Sequence, residues 1–299
     1  INYTPKKYLD KNLPINFKAL TGVNYFITDS VLFKRKVTKE HKIIAHAGAN
    51  GNYTKAGLIY STLAEVADQE KISVDWICKD IKSRNSLNEI INFNSNDKIL
   101  PWQKNSKELW KNYDFVVGPS STSLYEAIIQ GCLPISFPIS NTQLTKLEDW
   151  VTIGHVLHIC DEKINDYSYI KSLIKLALSE NKNLIKILRN NSKVLDGKGV
   201  ERVVKEIESL LIKNNSKYKK INFKRGIKKC SVSDSYDFLK ARNSIEVRMM
   251  STDPNHIISW PEHISWWISN KVDKYLLIGD SNLPEVYFWV KEWVIDNKG

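Results

Sequence analysis

Near the middle of this 299-residue chain, small hydroxyl residues follow a short apolar run, and their types and spacing suit the binding of an anion. The apolar run Phe115-Val116-Val117 is typical of a buried parallel strand, and Gly118-Pro119 ends it. Four hydroxyl residues then stand where a helix should begin: Ser120, Ser121, Thr122 and Ser123. Backbone N–H groups at a helix start attract phosphate, so the pattern predicts a phosphate site. Serines that only cap a helix remain the alternative interpretation.

The residues after this loop extend the predicted site. Glu126 lies one turn into the helix, where its carboxylate can reach a ribose diol beside the phosphate. Gly131 should end the helix, and Leu133 to Phe137 should form the next strand.

A second loop earlier in the chain has the same strand-to-helix setting. Residues 43–48, Ile-Ile-Ala-His-Ala-Gly, predict a strand that runs into a loop ahead of a helix over residues 54–68. The backbone can approach a ligand closely at Gly48. His46 is either a ligand contact or a satisfied histidine at the end of a core strand.

Short apolar strands alternate with helices over residues 43–137, which predicts a Rossmann-like α/β domain with a parallel sheet and helices on both faces. We expect residues 151–159 to continue the sheet. Three amphipathic helices should follow, over residues 167–178, 183–190 and 200–212.

Three motifs in this order resemble the nucleotide-binding half of a GT-B protein: G-P-S-S-T-S-L-Y-E-A, then G-C-L-P-I-S, then N-T-Q. The resemblance is to the UDP-sugar hydrolase family of pseudaminic acid biosynthesis. Residues 20–27 resemble the start of that family's second domain, and residues 196–203 resemble its closing helix. The resemblance covers roughly residues 17–212.

The resemblance implies a set of contacts to a nucleotide sugar. Ser121, Thr122 and Ser123 would meet the diphosphate, Glu126 the ribose, and Asn141 with Gln143 the sugar or a phosphate edge. Gly48 and Ser120 complete the substrate-binding set. The family's loop has paired glycines where this chain has Ala47-Gly48-Ala49, which weakens the inference for Gly48.

The implied ligand is a UDP- or CMP-linked sugar, with no cofactor and no metal. Three functions share this site: a sugar-nucleotide hydrolase, a glycosyltransferase, and a non-catalytic nucleotide-binding or assembly module. The related hydrolases place their catalytic histidine in a first domain that no part of this chain resembles, so the resemblance implies no catalytic residue here.

The composition limits the kinds of partner that we expect the chain to bind. The net charge is +11, and lysines gather in residues 213–230, which we interpret as a basic linker. We expect no nucleic-acid binding, because no recognised motif accompanies the charge. Four widely spaced cysteines, with no membrane-length apolar run and no signal peptide, favour a reduced, cytoplasmic protein. The start at Ile1 suggests a piece of something longer, and residues 1–16 look like a connector.

Residues 231–299 have a different character and resemble the opening of a GNAT-type N-acetyltransferase, with R-N, E-V-R and W-P-E-H-I-S-W-W in order. The glycine-rich loop that holds acetyl-CoA in that family has no counterpart in this segment. His263 and Glu262 are either acid–base residues or packing and helix-start residues. We expect the tryptophans to be mainly packing residues, with an exposed aromatic patch that could support self-association.

Overall fold

The computed structural model describes residues 20–28, 41–102, 109–143, 146–190, 195–211, 226–249, 251, 253–269, 272–278 and 284–290. The chain divides into two compact units, with the boundary between Leu210 and Leu211. The predicted connector, residues 1–16, and residues 213–225 of the predicted linker lie outside the described residues.

The first unit contains a five-stranded sheet in the order β3-β2-β1-β4-β5, with every adjacent pair parallel. The strands are β1 (Ile43–His46), β2 (Val74–Cys78), β3 (Lys98–Pro101), β4 (Phe115–Pro119) and β5 (Leu133–Phe137). β1, β4 and β5 are buried along their whole length, as expected for strands covered on both faces.

Seven helices accompany the sheet among the described residues of this unit. They are α1 (Gly57–Gln69), α2 (Ile81–Asn88), α3 (Thr122–Ile129), α4 (Leu147–Val151), α5 (Tyr167–Ser179), α6 (Asn181–Asn190) and α7 (Gly199–Leu211). β1 is the central strand. β2 and then β3 are added on one side of it, and β4 and then β5 are added on the other side. Right-handed crossovers in opposite directions place helices on opposite faces, so the predicted Rossmann-like domain is confirmed.

The two stretches that flank the sheet in sequence meet in space. The guanidinium of Arg202, on α7, donates to the carbonyl oxygen of Asn24 at 3.0 Å and also pairs with Asp196. Gly199 lies directly against the Phe26 backbone, and the Phe26 ring packs edge-on against Tyr125 at 5.1 Å. Residues 20–28 therefore belong to the fold of the first unit.

The prediction that residues 151–159 continue the sheet is wrong for the first half of this segment. α4 ends at Val151, and Gly154, with φ +82°, turns the chain. The second half does approach β5: Ser136 N–H donates to Leu157 O at 3.1 Å, and Ile159 N–H donates to Ser136 O at 2.8 Å. The left-handed turn at Gly154 is the physical reason that only this short part joins the sheet.

The second unit has a three-stranded antiparallel sheet in the order β6-β7-β8. Its elements are β6 (Gly226–Lys229), α8 (Ser235–Arg242), α9 (Ile245–Arg248), α10 (Trp260–Ile268), β7 (Asp273–Ile278) and β8 (Pro284–Val290). β6 corrects the interpretation of residues 213–230 as a linker, because residues 226–229 pair with β7 instead. Lysines whose side chains reach solvent from an edge strand explain why this stretch looks like a linker in the sequence.

Among the helices that the structure describes, none is both long and apolar enough to cross a membrane.

Candidate functional site

The loop after β4 lies at the carboxyl edge of the parallel sheet. Ser121 is the N-cap of α3, yet its side chain makes no capping hydrogen bond to the helix. Its hydroxyl instead contacts the Ser123 hydroxyl at 2.7 Å. The first N–H groups of α3 therefore lack the side-chain partner that a capping serine would supply. The capping interpretation of these serines is not what the structure shows.

Ser120 is the most buried member of this loop. Its N–H donates to Phe137 O at 2.8 Å, which extends the pairing of β4 and β5 by one residue. Its hydroxyl oxygen is buried and has no hydrogen-bond partner among the described residues. Thr122 is exposed, and Ser121 and Ser123 are half-buried.

Glu126 lies on the second turn of α3, and its side chain is half-buried. The apolar face of α3 is formed by neighbouring residues that are buried: Leu124, Tyr125, Ala127, Ile128 and Ile129. Glu126 is thus outside the apolar core, as the ribose hypothesis requires. The hypothesis itself stays a prediction.

The loop after β1 reaches the loop after β4. Gly48 has φ +71°, and Gly51 N–H donates to Gly48 O at 3.1 Å, which closes a tight turn. A Cβ on Gly48 would lie 3.4 Å from Cγ of Pro119, the last residue of β4. The turn and the start of α3 therefore face each other across the point where the strand order reverses.

Two buried tyrosines fix the base of the Gly48 turn. The Tyr53 hydroxyl donates to Ile77 O at 2.7 Å and lies 3.3 Å from Ala45 O, so it joins the ends of β1 and β2. The Tyr60 hydroxyl donates to His46 O at 2.8 Å. Burial raises the pKa of both tyrosines well above its usual value, which keeps the two hydroxyls protonated as donors.

Asn141 and Gln143 lie in a 3₁₀ turn, Asn141–Gln143, beyond the end of β5 and at the same sheet edge. Asn141 is exposed. The side-chain oxygen of Gln143 accepts from the Ile139 N–H at 3.0 Å, so this oxygen already has a structural partner. The predicted sugar contact of both residues stays a prediction.

Lys79 is a cation at this edge that the sequence reasoning missed. It directly follows β2, and its Nζ lies 3.4 Å from the Ala49 carbonyl oxygen in the Gly48 turn. The available signal was its position, one residue beyond an apolar strand, where a lysine can meet a phosphate.

His46, the last residue of β1, is 1% exposed, and its Nδ1 accepts from the Gly48 N–H at 3.1 Å. Burial lowers the pKa of His46 to about 4, so the ring is neutral near pH 7. The structure favours the interpretation of His46 as a core histidine at a strand end over that of a ligand contact.

Two further buried histidines, His155 and His158, pack against β5. The Ser136 hydroxyl contacts His155 Nε2 at 2.7 Å and His158 Nδ1 at 2.8 Å. Trp150 packs against both imidazole rings. Burial, and then His158, lower the pKa of His155 well below 6.5. The cluster holds residues 155–159 against β5 and is outside the predicted site.

In the second unit, Phe238 lies within an aromatic core that includes Trp267 and Tyr287. Trp260 and Trp267 are buried, whereas Trp289 is half-exposed. Trp293 lies outside the described residues. The predicted self-association through this unit stays a prediction.

His263 and Glu262 both make contacts within the second unit. His263 is fully buried, and burial followed by the charge of Arg242 lowers its pKa to about 3. The Glu262 carboxylate contacts His256 Nε2 at 3.0 Å, and its N–H donates to the Ser259 hydroxyl at the start of α10. These contacts agree with the packing and helix-start interpretation.

No protein-family model matches the chain, and no curated protein matches it. Among solved structures, it is similar to Acinetobacter baumannii MurG, with 14% identity, a TM-score of 0.45, and coverage of 66% of this chain and 59% of that one. It is similar to S. aureus MnaA bound to UDP, with 14% identity, a TM-score of 0.44, and coverage of 61% and 48%. It is similar to the spinosyn rhamnosyltransferase SpnG, with 11% identity, a TM-score of 0.44, and coverage of 58% and 46%.

The chain spans about half the length of these solved structures. Identities of 11–14% and TM-scores below 0.5 carry no argument about the function of this chain. Its own geometry defines an α/β domain with two loops and a helix start converging at the carboxyl edge of its sheet.

Proposed function

We propose that the first unit binds the nucleoside diphosphate of a nucleotide sugar at the carboxyl edge between β1 and β4. Ligands of open parallel sheets bind in the crevice where the strand order reverses, and here that point lies between these two strands.

One observation carries the proposal: the start of α3 has no side-chain cap, and it faces a glycine turn across the reversal point. The helix dipole and the uncapped N–H groups favour a negative charge at this place. The buried Ser120 hydroxyl, which has no partner among the described residues, adds unsatisfied polarity to the same loop.

The proposed roles follow from position. The N–H groups and hydroxyls of Ser121, Thr122 and Ser123 hold the diphosphate, and Gly48 brings the backbone of the first loop close to it. Glu126, one turn further, accepts hydrogen bonds from the ribose hydroxyls. Asn141 and Gln143 border the sugar, and Lys79 adds a positive charge at the rim.

Within this class, we propose a part of a sugar-nucleotide hydrolase of the GT-B type that acts in nonulosonic acid biosynthesis. The support is the order of the three motifs between Gly118 and Gln143 together with the flanking stretches. A GT-B glycosyltransferase that uses a UDP- or CMP-activated sugar would bind its nucleotide in the same way. The third hypothesis is a nucleotide-binding or assembly module that catalyses no reaction.

The binding proposal is tested by calorimetric titration of the whole chain with UDP and with CMP. Thr122→Glu is the sharpest variant, because an acidic residue in the first turn favours the helix but repels a diphosphate. We expect it to weaken UDP binding by about tenfold or more without lowering the melting temperature.

Ser168→Glu is the matched control, since it places the same charge in the first turn of α5. That helix start contacts Glu65, in the second half of α1, away from the carboxyl edge. The control should bind UDP like the unaltered chain. Equal affinity in the chain and in Thr122→Glu would contradict the proposed site, and absence of UDP and CMP binding would contradict the proposed function.

Incubation of the chain with a UDP-sugar separates the hydrolase hypothesis from the transferase hypothesis. Release of free sugar into water indicates the hydrolase, and transfer to an added acceptor indicates the transferase. Binding without turnover is expected both of the non-catalytic module and of a nucleotide-binding part that lacks the catalytic first domain.

A further inference from the structure

His46 lies between the Gly48 turn and the end of β4, the strand that leads into the second loop of the proposed site. Its Nδ1 accepts the N–H of Gly48, so this nitrogen carries the lone pair and Nε2 carries the proton. Nε2 is buried and has no hydrogen-bond partner in the part of the chain that the structure describes. A buried N–H without a partner is unfavourable, so packing alone does not explain a histidine here.

The opposite edge of the ring faces Gly118, in β4 one residue before the strand ends. A Cβ on Gly118 would lie 2.5 Å from Nε2 and 2.7 Å from Cε1 of His46, closer than real Cβ atoms come. Gly118 therefore leaves the volume that the imidazole ring fills. Pro119, the next residue, is the one that contacts Gly48.

Two further residues hold His46, one through its backbone and one through its ring. Tyr60 donates to the His46 carbonyl, and Trp110 packs at 5.8 Å between ring centroids. Because burial keeps the ring neutral, Nδ1 remains an acceptor at neutral pH. Because Nε2 is inaccessible, a ligand cannot touch it in this arrangement. Any effect of His46 on a ligand must pass through Gly48 and Gly118.

We propose that His46 is a positioning residue that sets the distance and orientation between the Gly48 turn and the β4–α3 loop for binding a diphosphate. This inference rests on the function proposed above. A leucine-like core residue would fill the same volume but could not accept the Gly48 N–H, so the acceptor at Nδ1 is the property that matters.

Two variants separate this role from packing. His46→Leu keeps apolar volume and removes the acceptor, whereas His46→Asn keeps an oxygen close to the position of Nδ1. We expect His46→Leu to weaken UDP binding about tenfold, as the loss of one ordered backbone contact would, and His46→Asn to stay within about threefold of the unaltered chain.

His155→Asn is the matched control, because His155 is also a buried neutral histidine of this unit but contacts neither loop. It should lower stability while leaving UDP affinity unchanged. Gly118→Ala is a second route to the same effect, since its methyl group would displace the ring. It should weaken UDP binding to a similar degree even if His46→Leu fails to fold.

Two readouts do not depend on UDP. Nitrogen NMR of the histidine rings should show the tautomer of His46 with the proton on Nε2. Hydrogen exchange at the Gly48 amide should be faster in His46→Leu and near normal in His46→Asn. If the unaltered chain does not bind UDP but these two results hold, the proposed function fails and the link between the loops stands.

Other outcomes overturn the inference. These are UDP binding of His46→Leu and Gly118→Ala at the affinity of the unaltered chain, or equal Gly48 exchange in all variants. Weakening by His46→Asn to the same degree as His46→Leu would also overturn it, because the acceptor would then not be the property that matters.

Discussion

Gly199, at the start of α7, lies so close to Phe26 that a Cβ on the glycine would overlap the Phe26 carbonyl oxygen. The neighbouring atoms are backbone, which cannot rotate away as the end of a side chain can. Together with the hydrogen bond from Arg202 to Asn24, this contact joins the beginning and the end of the first unit.

We therefore expect Gly199→Ala to destabilise the first unit by about 1–3 kcal/mol, the usual cost of overpacking. The matched control is Gly57→Ala, at the start of α1, where the nearest atom to a new Cβ would be Ile90 Cδ1 at 3.8 Å. This control should be neutral or slightly stabilising, because alanine has less backbone freedom to lose than glycine. Urea denaturation of both variants measures their free energies of unfolding. Equal free energies of unfolding for Gly199→Ala and Gly57→Ala would contradict the close packing of Gly199 against Phe26.

Glu126→Ala should weaken UDP or CMP binding about tenfold or more, since hydrogen bonds to a charged acceptor contribute roughly 1.5–3 kcal/mol. Glu70→Ala is the control, because Glu70 is an exposed carboxylate at the far end of α1, at the opposite edge of the sheet. Calorimetry on the three proteins measures the effect. The ribose role is wrong if Glu126→Ala binds as tightly as Glu70→Ala.

The stability of the first unit should fall as the pH drops below about 6.5. Burial lowers the pKa of His46 to about 4 and that of His155 well below 6.5, so only the unfolded chain takes up these protons in that range. Protonation of each histidine in the unfolded chain then lowers the free energy of unfolding by about 1.4 kcal/mol per pH unit. The contribution of His46 levels off near pH 4, where the folded state also binds its proton.

Hydrogen exchange of the β1 and β4 amides between about pH 7 and pH 5 measures this loss, above the range in which carboxylates titrate. His155→Asn removes one of the two groups, so its stability should depend less steeply on pH than that of the unaltered chain. An unchanged slope in this variant would show that His155 is already protonated in the folded state or is not buried.

The chain should not bind acetyl-CoA at micromolar concentrations. In the second unit, the α10 start has a Ser259 cap and Glu262 in its first turn, and α8 follows a capping box formed by Ser231 and Asp234. The α10 start thus has both a side-chain cap and a carboxylate. The α8 start has no side-chain cap of its own, but Asp234 and Asp237 place carboxylates there. These carboxylates repel the pyrophosphate that a helix start would otherwise attract.

Tryptophan fluorescence titration with acetyl-CoA tests this, because half-exposed Trp289 and its neighbour Trp266 would report a ligand at the aromatic face. Saturable quenching at micromolar concentration would contradict the prediction, and the resemblance to an acetyltransferase would then extend to cofactor binding.

Local features of the sequence were enough to predict several elements. The apolar run before Gly118 predicted β4, the hydroxyl residues predicted the start of α3 near Thr122, and Gly131 predicted its end, as observed. These signals succeed because each depends on residues within one or two turns of chain, where backbone preferences act directly.

Other local predictions failed where tertiary contacts compete with periodicity. Residues 151–159 have the apolar pattern of a strand, but the Gly154 turn and the packing of Trp150 on His155 leave only the second half beside β5. Residues 226–229 look like the end of a polar linker, and only pairing with β7 makes them a strand.

The sequence by itself determined that this chain alternates strands and helices and that a hydroxyl-rich helix start follows one strand. Only the tertiary structure decided that β4 lies beside β1, which brings Gly48 to Pro119 and the ring of His46 to Gly118. About seventy residues separate these partners, and strand order depends on the burial of whole faces, which no local pattern of residues specifies.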